Sequence, residues 1–179
     1  MPNYRRIRAP GGTYFFTLCL HDSGSALLRK YVDEFRSAYA ATVIEMPVKC
    51  RAIVVLPDHL HAIWTLPEGD SNYQERWRRI KSRFTRAVAP KVGGSPTLPA
   101  SSRSRKRERE IWQRRYWEHL IRDQQDLALH MNYCWTNPVK HGLVRQPTDW
   151  PHSSIHREIR LGHVEPGRSF PHIDGNFGE

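Results

Sequence analysis

The chain has 179 residues and a mass of 21.0 kDa, which is enough for one domain with a sizeable core. No apolar run approaches the roughly 20 residues that span a bilayer, and three widely separated cysteines argue against a disulfide framework or a zinc ribbon. Lysine and arginine total 28 against 18 aspartate and glutamate, and the net charge of +10 attracts polyanions. We therefore expect a cytoplasmic protein and take nucleic acid as the first candidate partner, with a merely solvated basic surface as the alternative.

The first part of the chain predicts strands and a helix in alternation. Residues 13–20 are rich in aromatic and β-favouring residues, which is typical of a central strand. Apolar residues recur at helical spacing over residues 26–42, so a helix there would pack one side onto the sheet. A second strand is predicted over residues 48–56, and a third begins after the bend at Pro57.

The third strand carries the histidines His59 and His61. Residues two apart on a strand point to the same face, so the two imidazoles would lie side by side. Two neutral imidazoles so placed can hold one divalent metal ion. The alternative is a chance His-x-His on a half-exposed strand, because the chain has ten histidines. Asp58 is the adjacent acid, and as a sequence neighbour of His59 it is expected to point to the opposite face.

A second helix is predicted over residues 72–89. Its apolar stripe consists of Trp77, Ile80, Phe84 and Val88, and the cations between them are Arg76, Arg78, Arg79, Lys81, Arg83 and Arg86. A solvated helix usually mixes charges of both signs to pair neighbours one turn apart. Few acids interrupt this run, so the pattern favours a surface that contacts phosphates over a solvated face.

Residues 90–110 hold little that could be buried and are interpreted as a flexible basic loop. A last strand is predicted over residues 111–122, and Asp123 would cap the following helix. That helix should end at Asn137, because a residue ahead of a proline avoids helical dihedral angles.

Tyr133 and Asn137 are four positions apart on that helix, so they share a face. If the helix crosses the sheet beside the two histidines, the tyrosine can reach a substrate while the amide completes the shell of a metal. The alternative is a core aromatic residue and an ordinary residue at a helix end, and the spacing alone favours that alternative.

Five segments together resemble the REP-associated tyrosine transposases. They are residues 3–6 (NYRR), 11–17 (GGTYFFT), 56–64 (LPDHLHAIW), 112–119 (WQRRYWEH) and 133–142 (YCWTNPVKHG). They occur in the family's order and span about residues 3–161. The family is related to the insertion-sequence transposases of the HUH superfamily, which is named for a His-hydrophobic-His triplet. Cys134, Trp135 and the long loop after Pro90 depart from the family pattern.

The resemblance implies an enzyme that attacks a phosphodiester of single-stranded DNA and forms a 5′-phosphotyrosine link. It assigns Tyr133 as the nucleophile, while His59, His61 and Asn137 hold Mg²⁺ or Mn²⁺. Tyr116 is the alternative nucleophile, but it is predicted on a strand and has no amide four residues on. His119 is interpreted as a group that supports the ligands or as an alternative ligand.

The resemblance also implies a fold, a partner and an oligomeric state. The fold is α+β, an antiparallel sheet with helices packed on one face in a ferredoxin-like or RRM-like arrangement, and the domain covers residues 1–162. Residues 163–179 lie beyond the matching segments and are expected to be a loosely ordered tail. The substrate is a REP-type DNA hairpin with a single-stranded foot, and the protein would act as a monomer. The residues expected to hold DNA are Arg5, Arg6, Arg78, Arg79, Arg83 and Lys140.

Two other functions compete with the strand transferase. One is a binding module that keeps the basic surface but forms no covalent adduct. The other is a metal-dependent hydrolase that uses water as the nucleophile. The hydrolase would need further carboxylate ligands, and Asp58 is the only acid beside the histidines in the sequence.

Overall fold

A computed structural model of the chain describes residues 7–92, 111–171, 173 and 177–178. The predictions made for Arg5, Arg6 and most of the basic loop lie outside these residues. The strands are β1 (Thr13–Cys19), β2 (Lys49–Val55), β3 (His59–Thr65) and β4 (Trp117–Leu120). The helices are α1 (Leu27–Lys30), α2 (Val32–Glu45), α3 (Tyr73–Val88), α4 (Gln124–Lys140) and α5 (Ile155–Arg160), with short 3₁₀ turns at Ala89–Val92 and Pro147–Asp149. None of the described helices is both long and apolar enough to cross a membrane.

The four strands form one antiparallel sheet in the order β2-β3-β1-β4. The central pair is in continuous register from Thr13 opposite Thr65 to Cys19 opposite His59. The first two helices connect β1 to β2, and α3 lies between β3 and β4 in the chain. This β-α-β-β-α-β order with β1 and β3 in the centre is the ferredoxin-like arrangement. The predicted α+β fold with an antiparallel sheet is therefore confirmed.

Alternate residues of the strands build two separate cores. On one face, Tyr14 and Phe16 of β1 pack with α2 and α3, and the rings of Trp64 and Trp77 stack with centroids 3.9 Å apart. On the other face, Phe15 belongs to a second core that includes buried residues of α4 and α5. Helices therefore lie on both faces, whereas the sequence indicated one. The second layer is added by α4 and α5, which follow the ferredoxin-like unit in the chain.

The first predicted helix and the last predicted strand have boundaries that differ from the predictions. The helix expected over residues 26–42 is interrupted at Tyr31, whose φ of −118° and ψ of 39° lie outside the helical region. Strand β4 is only four residues long. The register between β1 and β4 would place Arg114 opposite Leu20, but Leu20 pairs with Trp112 instead. The chain before β4 therefore contains two extra residues and bulges away from β1.

The helix α4 does not end at Asn137 but continues through Pro138 to Lys140. Proline removes one N–H group, yet the N–H of His141 donates to the carbonyl of Asn137 at 3.0 Å and completes the last turn. Asn137 and Pro138 are both buried. Burial in the core thus outweighs the local preference against a helix at this point.

Candidate active site

The two histidines of β3 lie next to each other at the beginning of the strand. Because they occupy alternate positions, both face the layer formed by α4, and their ring centroids are 5.1 Å apart. His61 is fully buried and His59 is 7% exposed. Because side chains alternate between the two faces of a strand, the two imidazoles lie side by side, as the sequence indicated.

Hydrogen bonds fix the orientation of both rings. The Nδ1 atom of His59 lies 2.7 Å from a carboxylate oxygen of Asp58, and Nδ1 of His61 lies 2.9 Å from the hydroxyl of Thr17. The Thr17 hydroxyl donates to the carbonyl of Phe177, so it accepts from the N–H of His61. In each neutral ring the hydrogen is then on Nδ1 and the lone pair is on Nε2, as a metal ligand requires.

The orientation of Asp58 corrects one expectation. Its carboxylate does not point away from the histidines but bonds to His59. Asp58 lies in the bend before β3 and not in the strand, so the alternation of side chains does not apply to it. It is therefore placed to orient an imidazole.

Tyr133 reaches the same place from α4. Its ring centroid is 5.2 Å from that of His61, and the side chain is 1% exposed. Asn137 lies one helical turn further along and is fully buried. Tyr116, by contrast, contacts Phe16 with a centroid distance of 6.2 Å and packs against the core on the opposite face of the sheet. Of the two tyrosines considered from the sequence, Tyr133 contacts a histidine of β3, whereas Tyr116 packs on the other face of the sheet.

Two side chains make contacts with Tyr133 that the sequence did not indicate. The ammonium of Lys140, expected to hold the DNA backbone, donates to the hydroxyl of Tyr133 at 2.9 Å. The ring of Phe177, within the segment expected to be a loose tail, stacks on that of Tyr133 with centroids 3.9 Å apart. Sequence reasoning also missed His141, whose ring centroid is 4.9 Å from that of His59. The seven-residue spacing of Tyr133 and Lys140 would have indicated their contact had the helix been extended past Pro138.

Comparison with known proteins identifies the family. No family model matches the chain. A protein of Haemophilus influenzae assigned to the REP-associated tyrosine transposases is 48% identical over 160 residues, which is 89% of each chain. The chain belongs to the REP-associated tyrosine transposases. The family member of Escherichia coli K12 is 42% identical over 162 residues, covering 90% of this chain and 87% of its own.

A solved structure of a REP-associated tyrosine transposase bound to a REP hairpin is similar over the whole chain. The TM-score is 0.86 at 40% sequence identity, and the match covers 100% of this chain and 98% of the other. The fold expected from the resemblance is thus the fold of the family.

His119 of this REP-associated tyrosine transposase lies apart from the two histidines of β3. Its Nε2 atom is 2.8 Å from a carboxylate oxygen of Asp126, and His130 lies on the other oxygen of that carboxylate at 3.1 Å. The ring of Phe15 lies between the two groups, 5.4 Å from His61 and 4.8 Å from His130. His119 therefore belongs to a second cluster, and its predicted role as an alternative ligand stays a prediction.

The arginines expected to contact DNA are paired with acids. Arg78 and Arg79 both bond to Glu75, and Arg79 and Arg83 both bond to Glu45 of α2, with N–O distances between 2.5 and 2.8 Å. The hydrogen bonds from Arg78 and Arg79 hold the pKa of Glu75 at about 2. Some of the acids that pair with the arginines of α3 therefore belong to α2, so the sequence of α3 alone does not reveal these pairs.

Arg76 has a structural role. It is 2% exposed, donates to the carbonyls of Met46 and Pro47, and forms an ion pair with Asp70 at 2.6 Å. These bonds tie the beginning of α3 to the end of α2. Arg76 is therefore not part of a phosphate-contacting surface, although its neighbours in sequence are candidates for one.

Proposed function

We propose that this transposase nicks and rejoins single-stranded DNA at REP-type hairpins, with Tyr133 as the nucleophile. The observation that carries the proposal is the contact between Tyr133 and His61 on the face of the sheet where His59 and His61 lie side by side. The names of the relatives support a transposase, and the hairpin in the similar solved structure supports hairpin DNA as the partner. The protein would act as a monomer in the cytoplasm.

The residues present fit a divalent ion, Mg²⁺ or Mn²⁺. The Nε2 atoms of His59 and His61 would be two ligands, since their Nδ1 atoms are engaged by Asp58 and Thr17. The amide oxygen of Asn137 would be the third, and a carbonyl oxygen is a donor that suits Mg²⁺ and Mn²⁺. When bound, the ion would withdraw electron density from the scissile phosphate and orient it.

Tyr133 would attack the phosphorus through its phenolic oxygen. The new O–P bond replaces the bond from phosphorus to the 3′ oxygen, and the leaving 3′-hydroxyl carries the proton that the phenol gives up. A phenol is a weak nucleophile near pH 7 because its pKa is about 10. The ammonium of Lys140, 2.9 Å from the phenolic oxygen, would stabilise the negative charge that develops there. The covalent link keeps the energy of the phosphodiester, so the reverse reaction joins strands.

Arg78, Arg79 and Arg83 would hold the DNA backbone. Their carboxylate partners are partly exposed, and ion pairs exposed to water contribute little to stability. Exchanging such a partner for a DNA phosphate therefore costs little, while the released counterions favour binding. Arg5 and Arg6 remain candidates for the same role outside the described residues.

A hairpin-binding module without activity is the second candidate, and one observation favours it. Tyr133 is 1% exposed and lies under Phe177, so the phenol must be uncovered before it can reach a phosphate. A hydrolase that uses water receives less support, because Asp58, the acid beside His59, bonds to Nδ1 and so occupies the position of an orienting group.

The test separates these functions by the adduct that only a strand transferase makes. REP-type hairpins with a single-stranded foot are labelled at the 3′ end, because a 5′-phosphotyrosine link retains the downstream fragment. The protein is incubated with them in Mg²⁺ or Mn²⁺ and separated under denaturing conditions. We expect an adduct with the wild type and with the matched control Tyr116→Phe, and none with Tyr133→Phe. A wild type that binds the hairpin but gives no adduct with either metal would favour the binding module.

A further inference from the structure

Three side chains outside the proposed catalytic centre meet between β4 and α4. We propose that His119, Asp126 and His130 form a second site for a divalent transition-metal ion, which fixes α4 against the sheet. One ligand atom of each residue lies within 4.8 Å of the ligand atoms of the other two. Among the described residues, these three form the one group of three or more histidine, cysteine, aspartate or glutamate side chains that lie this close together. Two imidazoles and one carboxylate are a ligand set that binds divalent iron, manganese and zinc.

Both imidazoles lie close to the carboxylate of Asp126. The Nε2 atom of His119 is 2.8 Å from one oxygen of Asp126, and the Nδ1 atom of His130 is 3.1 Å from the other. Two ligands about 2.1 Å from a tetrahedral ion are roughly 3.4 Å apart, so each nitrogen would move only a few tenths of an ångström away from the carboxylate. The rings of His119 and His130 are nearly parallel, with centroids 4.6 Å apart, so both present a nitrogen to the same carboxylate.

The backbone holds the ligands in place without help from an ion. Asp126 and His130 are four residues apart on α4 and share a face, and Asp123 caps the helix by accepting from the N–H of Asp126 at 2.8 Å. His119 comes from β4, which pairs with Phe15 of β1. Asp126 and His130 are 6% and 4% exposed, so their side chains are restricted by packing.

The protonation states also suit metal binding. Burial lowers the pKa of His130, which keeps its imidazole neutral. Burial raises the pKa of Asp126, but hydrogen bonds from His119 and Arg122 outweigh that effect and lower it to about 2, so the carboxylate is ionised. Neutral imidazoles and a carboxylate are the forms that bind a metal.

An ion at this site would replace existing hydrogen bonds. Nδ1 of His130 donates to the backbone carbonyl of Asp126 at 2.8 Å, and Nε2 of His119 donates to the carboxylate of Asp126 at 2.8 Å. Both bonds would be lost, because the same nitrogen atoms would bind the ion. The guanidinium of Arg122, 3.2 Å from the carboxylate, belongs to a side chain that is 74% exposed and can move into water. Because the ion must compete with these hydrogen bonds, the quantity to measure is the affinity of the site for the ion.

The site would act on the proposed nucleophile through the helix. His130 precedes Tyr133 by three residues on α4, and Phe15 separates the cluster from His61. An ion bound to His119 and to α4 would link the sheet to the helix one turn before Tyr133. Its effect would be positional, because none of its ligands is proposed to touch DNA.

The test counts ions in a protein whose proposed catalytic site has been removed. The variant His59→Ala/His61→Ala, freed of metal by chelation, is titrated calorimetrically with Zn²⁺ alone. We expect one ion per chain and a melting temperature several degrees higher with Zn²⁺ in excess. Adding His119→Gln, at a side chain 26% exposed, or His130→Gln should abolish both effects. The matched control adds His163→Gln, which removes a histidine bonded to Glu158 at 2.9 Å, and should keep both.

The outcomes decide the proposal whether or not the protein cleaves DNA. A folded His59→Ala/His61→Ala protein, checked by circular dichroism, that binds no Zn²⁺ would overturn it. Binding that survives both His119→Gln and His130→Gln would also overturn it and would indicate a site elsewhere. Since no DNA is present, an inactive wild type would refute the strand-transfer reaction and leave this result unaffected.

Discussion

The ammonium of Lys140 donates a hydrogen bond to the phenolic oxygen of Tyr133, two turns earlier on the same helix. A bond to a charged group is worth about 1.5–3 kcal/mol, and the attacking phenol gains negative charge in the transition state. We expect Lys140→Met to slow adduct formation roughly 10- to 100-fold in single-turnover measurements, and Lys140→Arg to slow it less. The strand-joining rate should fall by the same factor, because the phenolate is then the leaving group. Equal rates for Lys140→Met and wild type would remove Lys140 from the reaction.

Phe177 covers the ring of Tyr133 and should limit its access to DNA. The stacked rings are 3.9 Å apart and the tyrosine is 1% exposed. We expect Phe177→Ala to increase the rate of adduct formation several-fold. The matched control is Phe170→Ala, since Phe170 contacts Trp135 and not Tyr133. The interpretation fails if Phe177→Ala is no faster than Phe170→Ala while both remain folded.

Two neighbouring arginines of α3 should differ in their effects on stability. Arg76→Gln leaves Asp70 and the backbone carbonyls of Met46 and Pro47 without the cationic partner that reaches them from a buried position, and we expect it to lower the free energy of unfolding by about 3 kcal/mol. Arg78 is 62% exposed, and Arg78→Gln should change that free energy by no more than about 0.5 kcal/mol. Urea unfolding followed by tryptophan fluorescence measures both. Equal midpoints for the two variants would contradict the structural role of Arg76.

The low pKa of Asp126 predicts that the folded protein loses part of its stability in acid. Its pKa of about 2 lies below the ordinary value of 3.8, so the folded state holds the carboxylate more strongly ionised than the unfolded state does. This contribution to stability is present above about pH 4 and is lost as the pH falls toward 2. In chelator, Asp126→Asn should therefore be less stable than the wild type at neutral pH, with a difference that shrinks between pH 4 and 2. A difference that is constant with pH would contradict the assignment.

Local rules predicted the parts of the fold and site that depend on neighbours along the chain. The alternation of a strand accounts for the common face of His59 and His61, and the capping preference of aspartate accounts for Asp123. The spacing of Tyr133 and Asn137 placed both on one helix face. These features follow from backbone geometry over a few residues, so no knowledge of the remaining fold is required.

The features that were missed depend on packing between distant segments. The helix continues past Pro138 because Asn137 and Pro138 are buried, and this extension carries Lys140 to Tyr133. Glu45 belongs to α2, so its pairing with arginines of α3 is not visible in the pattern of α3. Phe177 reaches Tyr133 from a segment 44 residues further along the chain.

The most direct test of the proposed reaction is to identify the residue that carries DNA after cleavage. The adduct is digested with trypsin and nuclease, and the modified peptide is sequenced by mass spectrometry. Tyr133 is the one tyrosine in the tryptic peptide 123–140, and Tyr116 lies in the separate peptide 116–122. The proposal predicts a nucleotide joined through its 5′-phosphate to Tyr133. A nucleotide on Tyr116, or an adduct that persists in Tyr133→Phe, would contradict it.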